Sequence, residues 1–157
     1  MDRMINAYNK NLAPLGIRVK KTNNPDTFII THKSGSYIEV HTKPRLRVAN
    51  LWKGETRPNN RQKGIGLALR TFATALLRNA GFVKITHLGV TTNNRNKESW
   101  KKTGNLPVST YMLRKYLGYK ATTNNEEPRS AWFKNDPEAQ RKLRNAEKLS
   151  RNRLLKF

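Results

Sequence analysis

The segment Arg61-Gln62-Lys63-Gly64-Ile65-Gly66 leads from a polar loop into a long apolar helix, and its residue types suit the binding of phosphate oxygens. A helix start leaves backbone N–H groups unpaired and carries positive potential, and glycine lets an anion approach the backbone closely. The bland alternative is a plain helix start with a tight turn. Basic residues beside a positive helix end are unfavourable unless an anion neutralises them, so Arg61 and Lys63 favour the phosphate site. The spacing is not that of a Rossmann dinucleotide loop, which needs a third glycine. Nor is it a Walker loop, which ends in Gly-Lys followed by Ser or Thr.

Glu39 and His41 lie two apart in a strand-like run, so they share one face and have the chemistry of a general base acting directly or through a water. The same spacing fits an ordinary exposed strand face. His32 and His87 show no metal-ligand spacing and read as structural, and the chain contains no cysteine, which excludes disulfides, thiolate metal sites and a thiol nucleophile. Trp100 stands among Arg95, Lys97, Lys101 and Lys102, where its ring is suited either to stack on a nucleobase or to fold onto the domain surface.

The elements that must position these groups follow from periodicity and punctuation. Met4, Ile5, Tyr8 and Leu12 share a helical side, and Pro14 and Gly16 end that helix. Strand patterns follow at 17–20, 27–31 and 37–41, separated by turn residues. The third is expected to continue, broken or bulged at Pro44, through Leu46 to Trp52. A polar loop over 53–60 then gives way to a helix from about Gly64 to Ala80, with Ile65, Ala68, Leu69, Phe72, Ala73 and Leu76 as its apolar stripe. Gly81 suits its C-terminus. A strand within 82–90, a polar basic stretch over 93–105, a helix over 107–117 stopped by Gly118, and two strands across a turn at 123–128 complete the domain. Asp136-Pro137-Glu138 starts a basic C-terminal helix. The expectation is an α+β domain over residues 1–133 with a basic helical tail over 134–157.

Charge narrows the partners. Lysine and arginine number 32 against 10 acidic residues, a formal net charge of +22. Glu55 is the only acid between Val40 and Lys97, so the excess belongs to the folded surface and not to one arm. Such self-repulsion fits a polyanionic partner, whether DNA, RNA or an acidic protein; a merely soluble basic surface is the plainer reading. Residues 1–16 lack an unbroken apolar run, and no segment approaches the ~20 apolar residues that span a bilayer. A cytoplasmic protein with no membrane partner is therefore expected.

Arg61 to Gly66 also matches R-x-x-G-x-G, and the sequence Thr56-Arg57-Pro58-Asn59-Asn60-Arg61-Gln62-Lys63-Gly64-Ile65-Gly66-Leu67-Ala68-Leu69 resembles the longer pattern V-x-P-x-x-R-x-x-G-x-G-x-x-L of the Gcn5-related N-acetyltransferases, with Thr for the first Val. Val90 to Asn94 resembles that family's V-x-x-x-N, and Tyr116-Leu117-Gly118-Tyr119 its aromatic-Gly-aromatic helix ending. The likeness covers about residues 15–133. It implies a mixed, mostly antiparallel sheet flanked by helices, and acetyl-coenzyme A as cofactor. The pyrophosphate would lie on Arg61, Gln62, Lys63, Gly64, Ile65 and Gly66. The pantetheine would lie between the strand at 37–52 and that at 84–90, with a backbone N–H near Val48–Asn50 polarising the thioester and Asn94 nearby. Glu39 and His41 would take the proton of the amine, and Tyr116 is the candidate acid. The implied activity is acetyl transfer to an amine of an acidic or nucleic-acid-associated substrate. Three departures accompany the likeness: Arg114 stands where the family's acid Tyr is expected, Arg95–Leu106 resembles a basic insertion, and the helices between the first two strands are shortened or moved to the N-terminus. A catalytically degenerate relative that binds nucleic acid or serves a structural role is the alternative, and a compact, basic, cysteine-free protein of that kind would suit a bacteriophage.

Overall fold

Alternating apolar and polar residues build a sheet with one wet face, and a helix apolar almost all round fills the other. The computed structural model describes residues 2–55, 64–88, 108–122 and 129–156. Within them the order is α1 (Asp2–Leu12), β1 (Ile17–Lys21), β2 (Thr27–His32), β3 (Tyr37–Lys43), β4 (Val48–Glu55), α2 (Ile65–Asn79), β5 (Lys84–Leu88), α3 (Val108–Met112, running on as a π-turn over Leu113–Leu117), β6 (Lys120–Ala121), β7 (Arg129–Phe133) and α4 (Pro137–Leu154). The seven strands form one sheet in the order β1-β2-β3-β4-β5-β7-β6. Only β4 and β5 pair in parallel; every other pair is antiparallel.

The run expected as one extended strand over 37–52 is a hairpin. Pro44 fixes φ and donates no ladder hydrogen bond, so the chain leaves β3 in a single 3-10 turn over Pro44–Leu46. Arg47 then adopts φ 57°, closing the turn with its N–H on the Pro44 carbonyl at 3.1 Å. β4 thus starts at Val48 and runs back beside β3 as far as Glu55. The helical segment expected ahead of the sheet is present as α1, and β1 joins β2 through a turn with no helix between them.

Every described helix packs on one side of the sheet. Ile30, Ile38, Val40, Ala49, Leu51 and Ile85 meet Leu69, Phe72, Ala73 and Leu76 of α2 in a single core, which Ile5 and Leu12 of α1 and Leu113 and Leu117 beyond α3 extend. α2 is buried on both its sheet side and its outer side because α4 runs along it; Ala139, Leu143, Ala146 and Leu154 of α4 belong to the same core. The basic helix expected beyond residue 133 therefore lies against the domain, with its charges on the outer face. Its start is fixed by Asp136, whose Oδ1 accepts the N–H of Glu138 (3.0 Å) and Ala139 (3.3 Å). Gly118, at φ 81°, lets that start come close: a Cβ there would stand 2.7 Å from the Ala139 Cα.

The opposite face carries Thr27, Ile29, Glu39, His41, Asn50 and Thr86 in register from strand to strand, and no described helix covers it. No described helix is long and apolar enough to cross a membrane.

Candidate active site

Three features bear on a site around β4, β5 and the start of α2. The first is a parting of the strands. β4 and β5 pair from Val48↔Lys84 to Leu51↔His87 and no further, while β4 continues beside β3 to Glu55. From Trp52 onward, β4 thus has one edge without a strand among the described residues. A β-bulge marks the change: Val40 pairs with Leu51 and Glu39 with Lys53, leaving Trp52 as the extra residue. Val48 and Asn50, where a polarising amide was expected, lie where β4 has strands on both edges. The unpaired edge begins at Trp52 because β5 pairs with β4 no further than Leu51↔His87.

The second feature is the start of α2. Gly64 adopts φ 80° and forms no side-chain cap, and its carbonyl accepts the Ala68 N–H at 2.9 Å. The amides of Ile65, Gly66 and Leu67 precede that bond and are the orphan donors of the helix. Ile65 contributes only its amide, since its side chain is in the core. Arg153, from the far end of α4, lies over this start: a Cβ on Gly64 would meet its Cδ at 3.0 Å and its Nη1 at 3.1 Å. Sequence reasoning missed Arg153, because only the antiparallel packing of α4 on α2 brings residues 64 and 153 together. Arg61, Gln62, Lys63 and Asn94 lie outside the described residues.

The third feature is the pair Glu39 and His41, which the structure does bring together. His41 Nε2 donates to Glu39 Oε1 at 3.1 Å, and the imidazole lies 5.2 Å from the Trp52 ring, centroid to centroid. With Nε2 engaged, Nδ1 is the free ring nitrogen. These groups sit on the face without helices, beside a cavity of about 640 Å³ lined by His41, Val48, Asn50, Trp52 and Thr86. A larger cavity of about 780 Å³ adjoins it, sharing Asn24, Thr27 and Thr42 and extending to Ile5, Phe28, Gly81 and Phe82.

Tyr116 is not brought to them. It lies in the π-turn on the helical side, partly exposed, with Lys115 Nζ 5.2 Å from its ring centre. Arg114 is held to β7, its Nε donating to Ser130 Oγ at 2.9 Å and its Nη2 to the Arg129 carbonyl at 3.2 Å. Tyr119 is buried with its hydroxyl 2.7 Å from Thr74 Oγ1, and burial pushes its pKa up. Beside it Arg70 donates to the Gly66 carbonyl at 3.0 Å. His87 is buried nearby, and desolvation, then the charge of Arg70, pulls its pKa down from 6.5 to about 3. Among the described residues no group of His, Asp and Glu could hold a metal ion.

This chain is similar in structure to a solved aminoglycoside 6′-N-acetyltransferase complexed with coenzyme A. The two superpose with a TM-score of 0.51 over 72% of this chain and 76% of that one, at 15% identity. This is a Gcn5-related N-acetyltransferase fold. Other similar structures are a PaiA N-acetyltransferase from Thermoplasma acidophilum in complex with coenzyme A (TM-score 0.43, 15% identity, 68% of this chain and 59% of that one) and a nourseothricin acetyltransferase (TM-score 0.38, 20% identity, 71% and 67%). No family model and no curated protein matches the sequence.

Proposed function

We propose that this chain is an acetyl-coenzyme A-dependent N-acetyltransferase whose acceptor amine belongs to an acidic or nucleic-acid-associated molecule. The observation that carries the reading is the parting of β4 from β5 next to the uncapped, glycine-started α2. The residues fit the cofactor's diphosphate. Three orphan amides start the helix, and the missing Cβ at Gly64 lets the Arg153 side chain lie close over them. Acetyl-coenzyme A supplies an activated acyl group. The amides of Ile65, Gly66 and Leu67 and the side chain of Arg153 would hold its phosphates, with Arg61 and Lys63 of the sequence motif. The unpaired β4 edge from Trp52 offers backbone donors to a carbonyl oxygen. His41 Nδ1 accepts the proton an amine must lose, while Glu39 fixes the ring and balances the imidazolium charge.

Charge supports the acceptor class. A protein at +22 repels polycationic substrates and attracts amines carried on polyanions. One observation favours the non-catalytic alternative: Arg114, which stands where the family's acid Tyr is expected, is tied to Ser130.

The test is isothermal titration of acetyl-coenzyme A into nucleic-acid-free protein. Micromolar binding is expected; a folded protein that fails to bind would leave α2 as an ordinary helix start. Arg153→Ala should weaken binding by about 10-fold, the worth of one charge-assisted hydrogen bond to an anion. His41→Gln should leave that affinity unchanged and lower kcat by about 100-fold, measured as thiol release with an amine acceptor. An unchanged kcat would place the base elsewhere.

A further inference from the structure

The sheet face opposite the helices has properties that acetyl transfer alone does not require. Cross-strand pairing puts Lys43, Val48, Lys84 and Phe133 in one row and Glu39 and Lys53 in another, all on this face. Trp52, the bulged residue, joins them through its contact with His41. Its side chain is 57% exposed, though it follows a buried Leu51 in a central strand; Phe133 is 37% exposed, with Lys84 Nζ 5.8 Å from its ring centre. The acids of the face are few. Glu39 is engaged by His41, Glu55 lies at the end of β4, and Asp26 lies at the rim of the 640 Å³ cavity.

We propose that this open face binds single-stranded nucleic acid, with bases stacking on Trp52 and Phe133 and phosphates on Lys43, Lys53 and Lys84. Charge complementarity selects a polyanion, and the aromatic rings select among polyanions. An acidic peptide has no use for two exposed rings set among cations, whereas every nucleobase presents a face to stack on them. A duplex keeps its bases stacked internally, so the rings select unpaired strands. Strand spacing and rise put the two rings roughly 16 Å apart, far enough to seat separate bases of one extended strand. The inference shares with the acetyl-transfer reading only the expectation of a polyanionic partner, and it stands whether or not the cofactor binds.

The experiment is fluorescence anisotropy with labelled single-stranded DNA and RNA of one sequence, the matching duplex, and polyglutamate as competitor, across a salt series. Single strands should bind with an affinity that falls steeply with salt. Trp52→Ala should weaken that binding about 10-fold and leave duplex affinity within twofold; Lys84→Glu should weaken both. Arg144→Glu/Lys148→Glu on the outer face of α4 should matter less than Lys84→Glu. Four results would overturn the inference: no binding by folded protein, indifference of single-strand affinity to Trp52→Ala, a larger loss from the α4 pair, or polyglutamate binding that depends equally on Trp52. The difference between DNA and RNA affinities assigns the sugar. Because Gly64→Asp lies on the helical side, it should retain oligonucleotide binding, which separates failure here from failure of the cofactor site.

Discussion

Gly64→Asp is expected to weaken acetyl-coenzyme A binding by about 10²- to 10³-fold while the protein remains folded. Three helix-start amides and one guanidinium are available for the diphosphate, and hydrogen bonds to charged groups contribute about 1.5–3 kcal/mol each. Losing two of them at the lower end of that range costs about 3–4 kcal/mol, and every 1.4 kcal/mol is tenfold in affinity. Aspartate removes them in two ways. Its Cβ enters the space 3.0 Å from the Arg153 Cδ and 3.1 Å from Nη1. Its carboxylate then occupies Arg153 and puts negative charge where the phosphates would lie. The backbone penalty is separate: at φ 80° a residue with a Cβ costs about 1–2 kcal/mol of stability. Gly64→Asn carries that penalty without the charge, so it should match Gly64→Asp in Tm and bind the cofactor more tightly. Titration calorimetry that finds Gly64→Asp within threefold of the parent would move the diphosphate away from α2.

How far this site was legible depended on whether its parts are local in sequence. The Gly64–Gly66 turn could be read because glycine, helix periodicity and basic flanks coincide within a few residues. Glu39 and His41 could be read as sharing a face because strand side chains alternate, and their contact at 3.1 Å follows from that alternation. Strand order was less accessible. Extended propensity persists from Tyr37 to Trp52, and nothing local separates a bulge at Pro44 from a full reversal; the positive φ of Arg47 makes it a reversal. The same reversal leaves Val48 and Asn50 with a strand on each side, and only from Trp52 onward does β4 have an edge without a strand among the described residues.

Long-range packing hid the rest. Arg153 comes to Gly64 only because α4 lies antiparallel on α2, and α4 does so because Gly118 admits its first turn against the chain. Read as a sequence, that helix is a basic tail with a weak apolar stripe. In the fold the stripe of Ala139, Leu143, Ala146 and Leu154 is core, so removing residues 134–157 would expose α2 as well as delete charge. Alternation from the buried Leu51 puts Trp52 on the open face, but nothing local shows the extra residue that sets Lys53 on that face as well.

Acid should destabilise this protein through His87 by about 3 kcal/mol between neutral pH and pH 4. The ring is 6% exposed, on the core side of β5 where Arg70 of α2 faces it, with Ser130 of β7 opposite in register. Its Nδ1 has no hydrogen-bond partner among the described residues, so nothing there compensates a proton. Burial, helped by Arg70, therefore lowers its pKa from 6.5 to about 3. The unfolded chain takes up a proton below pH 6.5 and the folded chain does not until about pH 3, so the unfolded state binds more protons throughout that window. Stability is then complete above pH 6.5 and is lost progressively as the pH falls towards 3. At pH 4 the window already spans 2.5 units, and each unit is worth about 1.4 kcal/mol. His87→Leu, of similar volume and without a titrating group, should remove this dependence and leave only the losses from carboxylates. Urea unfolding of both proteins at pH 4, 5.5 and 7 decides it. The stability difference between variant and parent should shift in the variant's favour by about 3 kcal/mol from pH 7 to pH 4. A difference that stays constant would mean that the imidazole is already protonated in the fold, with its Nδ1 reaching an acceptor that burial alone does not reveal.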